Sequence, residues 1–195
     1  MENYKNLKKG TKVGLVISVI LTFLGLGFVI YNIVSLLINT PVKIPQLIRN
    51  SANFVMFIAI LFYTFVGYKK PHGNLLGGLF FTFGTILALN IMTLGLDATV
   101  SASLFRTISN TCDIFAALLI VYVSGRLNKV EKNKKLLFIA GALLFIRYIM
   151  PVFKGTIVFN SLIGSVCPLL ILFALSFAYT ARYEEHKIAG LEEDK

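Results

Sequence analysis

Two residues with opposite charges, Asp113 and Arg147, interrupt long apolar segments of this sequence. A charge at the centre of a membrane-spanning helix costs about 2.5–3.5 kcal/mol, so each is expected to have a partner or a function. Asp113 follows Arg106 by seven residues, and Arg147 precedes Lys154 by seven. If Arg106 and Lys154 mark the outer membrane boundary, both buried charges lie about 10 Å below it. Opposite signs at a matched depth predict an ion pair.

A third apolar segment repeats the spacing, with Asn90 seven residues before Asp97. Seven residues is close to two helical turns, so each polar residue shares a face with its boundary charge. Arginines there would hold an anionic group of a solute and aspartates a cationic one, while amides would fix its orientation. The predicted binding residues are Asn90, Asp97, Arg106, Asn110, Asp113, Arg147 and Asn160.

Further amides, among them Asn32, Asn50 and Asn53, lie toward the outer ends of other segments. Together with the predicted binding residues they form what we call the polar layer, which suggests a chamber open toward the outside. Two interpretations stay open. The layer binds a small polar solute, or it only ties the helices together, because Asn, Ser and Thr also bond helices to one another in membranes.

Catalytic chemistry has little support in the sequence. His72 and His186 lie outside the apolar segments, so no buried histidine base or histidine metal site is expected. Cys112 and Cys167 have no metal-ligand spacing, and Cys112, although next to Asp113, lacks a base. We therefore predict no catalytic residue, no metal and no cofactor, and an enzyme is the least favoured class.

The elements that must position these residues are helices in lipid. The chain has 195 residues, of which 56% are hydrophobic and only 14% charged, whereas soluble domains have about a quarter charged. A spanning helix takes about 20 apolar residues, which predicts an all-α polytopic membrane bundle of about six transmembrane helices, with residues 1–195 as a single integral membrane domain. The predicted helices are 13–38, 51–68, 75–96, 105–124, 136–151 and 158–181, followed by a tail over 182–195. Residues 98–103 suit either a loop or a surface helix.

The net charge of +10 follows the membrane rather than a nucleic acid. Of the 19 basic residues, 14 lie in segments predicted on the same side of the membrane as the N-terminus and 4 in segments on the opposite side. The remaining one, Arg147, lies within a helix. Because cytoplasmic loops are rich in Lys and Arg, both termini are predicted to be cytoplasmic, in a multi-pass protein of the plasma membrane. No nucleic-acid partner is expected.

A ridge of small residues, Gly14, Ser18 and Thr22, recurs every four positions in the first helix. Such ridges let helices approach closely, either within one chain, which is favoured here, or against a partner subunit. Six helices, cytoplasmic termini and an outer polar chamber are similar in plan to the small substrate-capturing subunits of energy-coupling-factor transporters. This similarity is one of layout alone.

The sequence thus favours binding or transport of a small polar solute. The alternative is a structural or interaction membrane protein that acts through a partner, with the polar layer serving only helix packing.

Overall fold

Six apolar stretches of the chain form α-helices in a computed structural model that describes residues 8–38, 44–65, 73–95, 104–153 and 159–188. No strand occurs in these ranges, so the predicted all-α bundle is confirmed. The helices are α1 (Lys9–Ile38), α2 (Ile44–Phe65), α3 (Gly73–Gly95), α4 (Leu104–Ser124), α5 (Val130–Phe153) and α6 (Phe159–Ile188).

Four of the described helical stretches are long and apolar enough to cross a membrane: Lys9–Ile38, Gln46–Phe65, Thr107–Ser124 and Val166–Glu184. Large apolar side chains cover the outside of the bundle, including Phe138 at 80% and Val55 at 65% exposure. Extended apolar surfaces of this kind mark contact with lipid or protein rather than water. The architecture is compatible with a multi-pass membrane protein, whereas the orientation of the termini and the plasma membrane location stay predictions.

Helices α2 and α5 begin seven and six residues earlier than the sequence predicts. Helix α2 begins at Ile44 rather than near residue 51. Pro45 falls in its first turn, where the backbone N–H that a proline lacks would have no partner within the helix, so the proline is compatible with this earlier start. Helix α5 begins at Val130 rather than near residue 136, which places charged residues of the basic loop on its first turns. The segment 98–103, with its two open interpretations, lies outside the described residues.

Helix α6 is the central element of the bundle. It contacts α1, α2, α3 and α5. Within its apolar stretch 67% of the residues are buried, against 33–39% in the other three spanning candidates. The other spanning candidates bury a smaller share of their residues and expose apolar side chains on the outside.

The small-residue ridge of α1 lies against α6. A Cβ at Gly14 would be 3.0 Å from Phe177 Cδ1, and the Ser18 hydroxyl donates a hydrogen bond of 2.8 Å to the Ala174 carbonyl. Thr22 is also buried. The ridge therefore serves packing within this chain, and association with a partner subunit through it stays a prediction.

A carboxylate of α6 caps the beginning of α1. The Lys8 backbone N–H donates to Glu184 Oε1 at 2.9 Å, and the Thr11 hydroxyl donates to Glu184 Oε2. A negative charge at a helix N-terminus satisfies unpaired N–H groups and the positive end of the helix dipole. This contact joins the two ends of the described chain.

Helices α1 and α2 pack against each other at Gly25, where the fully buried ring of Phe57 occupies the space that a side chain would need. A Cβ at Gly25 would lie 2.1 Å from Phe57 Cζ, which is impossible without movement of the ring. Gly27, two positions further along the same helix, has nothing within 4 Å of its Cβ position.

We predict that Gly25→Ala lowers the stability of the purified protein by about 1–3 kcal/mol, as expected for overpacking. Gly27→Ala, the control, should be neutral or slightly stabilising, because alanine favours helix more than glycine does. Thermal unfolding in detergent measures both, and Phe57→Leu should restore part of the loss in Gly25→Ala. Equal stability of the two alanine variants would contradict the close approach.

Candidate functional site

Asp113 of α4 and Arg147 of α5 form an ion pair inside the bundle. Arg147 Nε lies 3.0 Å from Asp113 Oδ2, and the two side chains are 10% and 2% exposed. The predicted pairing is confirmed. The contact is not a two-point fork, because within the described part of the chain Arg147 Nη1 and Asp113 Oδ1 have no hydrogen-bond partner.

A second arginine, Arg49 of α2, belongs to the same site. It interacts electrostatically with both Arg147 and Asp113. We call Arg49, Asp113 and Arg147 the charged cluster; with two cations and one anion its net charge is +1. The Nε of Arg49 is buried and has no hydrogen-bond partner among the described residues.

Two buried amides of α2, Asn50 and Asn53, extend the site. Their exposed fractions are 2% and 1%. Asn53 follows Arg49 by four residues, so the two side chains share one face of the helix. In the described structure neither polar atom of Asn53, nor Oδ1 of Asn50, has a hydrogen-bond partner. Each unsatisfied buried group costs about 1–3 kcal/mol, so this face of α2 is suited to water or a ligand.

Arg49 is not among the predicted binding residues, because the second helix is predicted to begin at residue 51 and earlier positions to form an outer loop. The signal that identifies it is local: a proline in a first helical turn, followed by Arg49 and Asn53 at helical spacing. Asn50 and Asn53 are predicted members of the polar layer, and both are buried, as is Asn32 of α1.

The remaining predicted binding residues are placed only in part. Asn110 lies one turn from Asp113 on α4 and is half-buried. Asn90, Arg106 and Asn160 lie in helices α3, α4 and α6, but their side chains are outside the description. Asp97 falls outside the described residues altogether. A binding role stays a prediction for these five residues and for Asp113 and Arg147, as does a chamber that opens outward.

The described side chains are of the types that bind anionic groups. Guanidinium groups bind carboxylate and phosphate oxygens through directed, charge-assisted hydrogen bonds. The amide of Asn53 adds both a donor and an acceptor. Within the described ranges, no group of three His, Cys, Asp or Glu residues could hold a metal ion.

We predict that Asp113→Asn and Arg147→Gln each destabilise the protein, and that the loss in the double variant is smaller than the sum. Removing one partner of a buried pair typically costs about 3–5 kcal/mol. Because the charged cluster has an excess positive charge, Asp113→Asn should cost more than Arg147→Gln, which leaves Arg49 to balance the aspartate. Unfolding curves of the four proteins give the coupling energy.

The exposed pair Lys134 and Glu131, 3.8 Å apart, is the control for this cycle. Its neutralisation by Gln at both positions should change stability by less than about 1 kcal/mol. Purely additive losses at Asp113 and Arg147 would remove the pair as an organising contact.

Comparison with known proteins identifies no relative: no family model matches the chain, and no curated protein or solved structure matches it significantly.

Proposed function

We propose that this chain is a multi-pass membrane protein that binds a small polar solute with an anionic group, as a binding or transport component at the outer side of the membrane. The observation that carries the proposal is the charged cluster, in which Asp113 and Arg147 are buried, Arg49 is half-buried with a buried Nε, the net charge is +1 and hydrogen-bond donors are unused.

Electrostatics favours an anionic ligand at this place. Two unit charges 4 Å apart interact with about 4 kcal/mol at an effective dielectric constant of 20, so one carboxylate offsets one guanidinium well. The second guanidinium in the charged cluster lacks such an offset among the described residues. A carboxylate or phosphate of a solute near Arg49 Nε and Arg147 Nη1 would supply both the charge and the missing acceptors.

The same site offers acceptors as well as donors, which suits a zwitterionic solute. Asp113 Oδ1 and Asn50 Oδ1 are buried acceptors without partners in the described chain. A cationic group of the solute would lie toward them, while Asn53 would fix its orientation, as a few well-placed polar groups do in most ligand sites. On the outer side, Asn90, Asp97, Arg106, Asn110 and Asn160 are proposed to extend this site.

The rival proposal is an interaction protein in which the polar layer only joins helices and function resides in a partner. The direct Asp113–Arg147 contact favours it, because ion pairs of this kind also occur for packing alone. The rival does not account for Arg49. The two proposals differ in whether the layer admits water and solute.

We predict that small organic acids, unlike matched amines or neutral analogues, raise the Tm of the purified protein by several degrees. A ligand at 100 times its Kd stabilises by about 2.7 kcal/mol. Arg49→Gln should abolish the shift, whereas Lys132→Gln, which removes an exposed cation at the other end of the bundle, should preserve it. A shift that persists in Arg49→Gln, or its absence across a broad metabolite panel, contradicts the proposal.

Water access gives a separate test through Cys167, a buried residue of α6 in the neighbourhood of Arg49. In a Cys112→Ala background, we predict that an anionic, membrane-impermeant methanethiosulfonate modifies Cys167 from the outer side only, and that a bound acid slows the modification.

Ser18→Cys in a cysteine-free background is the control, because Ser18 is equally buried but lies in the predicted inner half of the bundle. It should react only after denaturation. Equal protection of both cysteines in the folded protein would support a dry layer and the rival proposal.

A further inference from the structure

A crevice of about 740 Å³ opens at the other end of the bundle from the charged cluster. It lies between the first turns of α3, the end of α4 and the connection to α5. Gly78 and Phe81 form one side, and Ser124, Arg126 and Lys129 are among the residues on the other. The function proposed above makes no use of it.

The connection beside the crevice has a fixed shape. The Asn133 amide donates to the Arg126 carbonyl at 2.7 Å and to Tyr179 Oη at 2.9 Å, while the Tyr179 hydroxyl donates to the Leu127 carbonyl. Asn133 and Tyr179 are buried, so α5 and α6 hold this backbone in place. The crevice therefore exists before any ligand arrives, which lowers the entropic cost of binding.

Helices α3 and α4 pack closely against each other at one end of the crevice. A Cβ at Gly77 would be 3.1 Å from the Ser124 carbonyl, so α3 and α4 nearly touch there. Gly78, the next residue, has nothing within 4 Å of its Cβ position. The open space thus lies on the Gly78 side of α3.

The crevice joins positive charge to an apolar wall. Arg126 and Lys129 are exposed at its edge, and the Arg126 guanidinium lies 4.6 Å from the centre of the Tyr122 ring. No acidic residue is among the lining residues described. Phe81 is 55% exposed and lies eight residues into α3, which is about 12 Å from the start of the helix.

We propose that this crevice binds the phosphate headgroup of an anionic phospholipid, with an acyl chain along Phe81. Basic pockets between membrane helices are suited to such headgroups, and each Lys or Arg near a membrane surface contributes about 1 kcal/mol to the attraction. A free phosphate would use the charges alone. The apolar wall that continues from them toward the lipid-facing side is the feature that favours a lipid over a soluble anion.

The first test removes the charges. In neutral detergent, native mass spectrometry is used to compare binding of phosphatidylglycerol and phosphatidylcholine to the full chain. The wild type should prefer phosphatidylglycerol. The double variant Arg126→Gln/Lys129→Gln should bind phosphatidylglycerol about tenfold more weakly than the wild type and should show no preference for it over phosphatidylcholine. The control Lys132→Gln/Lys135→Gln removes two exposed cations of the same region that do not line the crevice, and should retain tight binding.

The second test fills the space without changing charge. Gly78→Leu should also weaken phosphatidylglycerol binding about tenfold, because its side chain occupies the crevice. Gly27→Leu is matched to it, since Gly27 is an exposed helical glycine on α1 with nothing within 4 Å of its Cβ position. This control should bind as the wild type does.

Three outcomes overturn the proposal: equal losses in the two double variants, which would indicate unspecific attraction; undiminished binding in Gly78→Leu; and displacement of the lipid by millimolar glycerol 3-phosphate, which would indicate a site for a soluble phosphate. None of them bears on the charged cluster. Each proposal can therefore fail without the other.

Discussion

The buried ion pair of Asp113 and Arg147 is the constraint on which the packing of α4 against α5 depends. Apolar contacts between helices tolerate sliding and rotation, but an ion pair of 3.0 Å in a site of low dielectric does not. Taking these charges out of water costs several kcal/mol each, and only close pairing offsets that cost. Helices α4 and α5 must therefore meet at one level and with their polar faces turned toward one another.

Elsewhere the bundle is held by a different kind of contact. Lipid is as apolar as leucine, so helices gain little from apolar burial alone and associate through close packing and hydrogen bonds. Gly14 and Gly25 of α1 admit the rings of Phe177 and Phe57, and Ser18 bonds to a backbone carbonyl of α6. In the apolar part, glycines, aromatic rings and short hydroxyl side chains thus hold the helices together, as the ion pair does in the polar layer.

Hydropathy predicts the six helices because each is a long apolar segment, and the spacing of Asp113 and Arg147 predicts their pairing because both are measured from boundary charges. Arg49 escapes the same logic. It follows two prolines, and the residue at which a helix begins is one of the features that a single sequence determines least well. Once α2 begins at Ile44, Arg49 moves from a loop into the site.

The crevice beside Gly78 is a feature of another kind, which no local pattern predicts. It results from the meeting of Gly77 with Ser124 and from hydrogen bonds that Asn133 and Tyr179 make to a connection far from Tyr179 in sequence. Each residue alone is typical of many helix ends. Tertiary contacts of this sort carry the information that hydropathy and spacing lack.

The third charge is what separates a packing role from a binding role. One aspartate and one arginine neutralise each other and suffice to tie α4 to α5. A second arginine adds its own desolvation cost and repels the first, and selection for stability alone would replace it with an apolar residue of similar volume, a change that is often neutral or stabilising. Asn53, with both polar atoms unsatisfied among the described residues, adds a further cost on the same face of α2. An anionic ligand at this place would offset both costs, and for this reason we propose ligand binding rather than packing as the role of the polar layer.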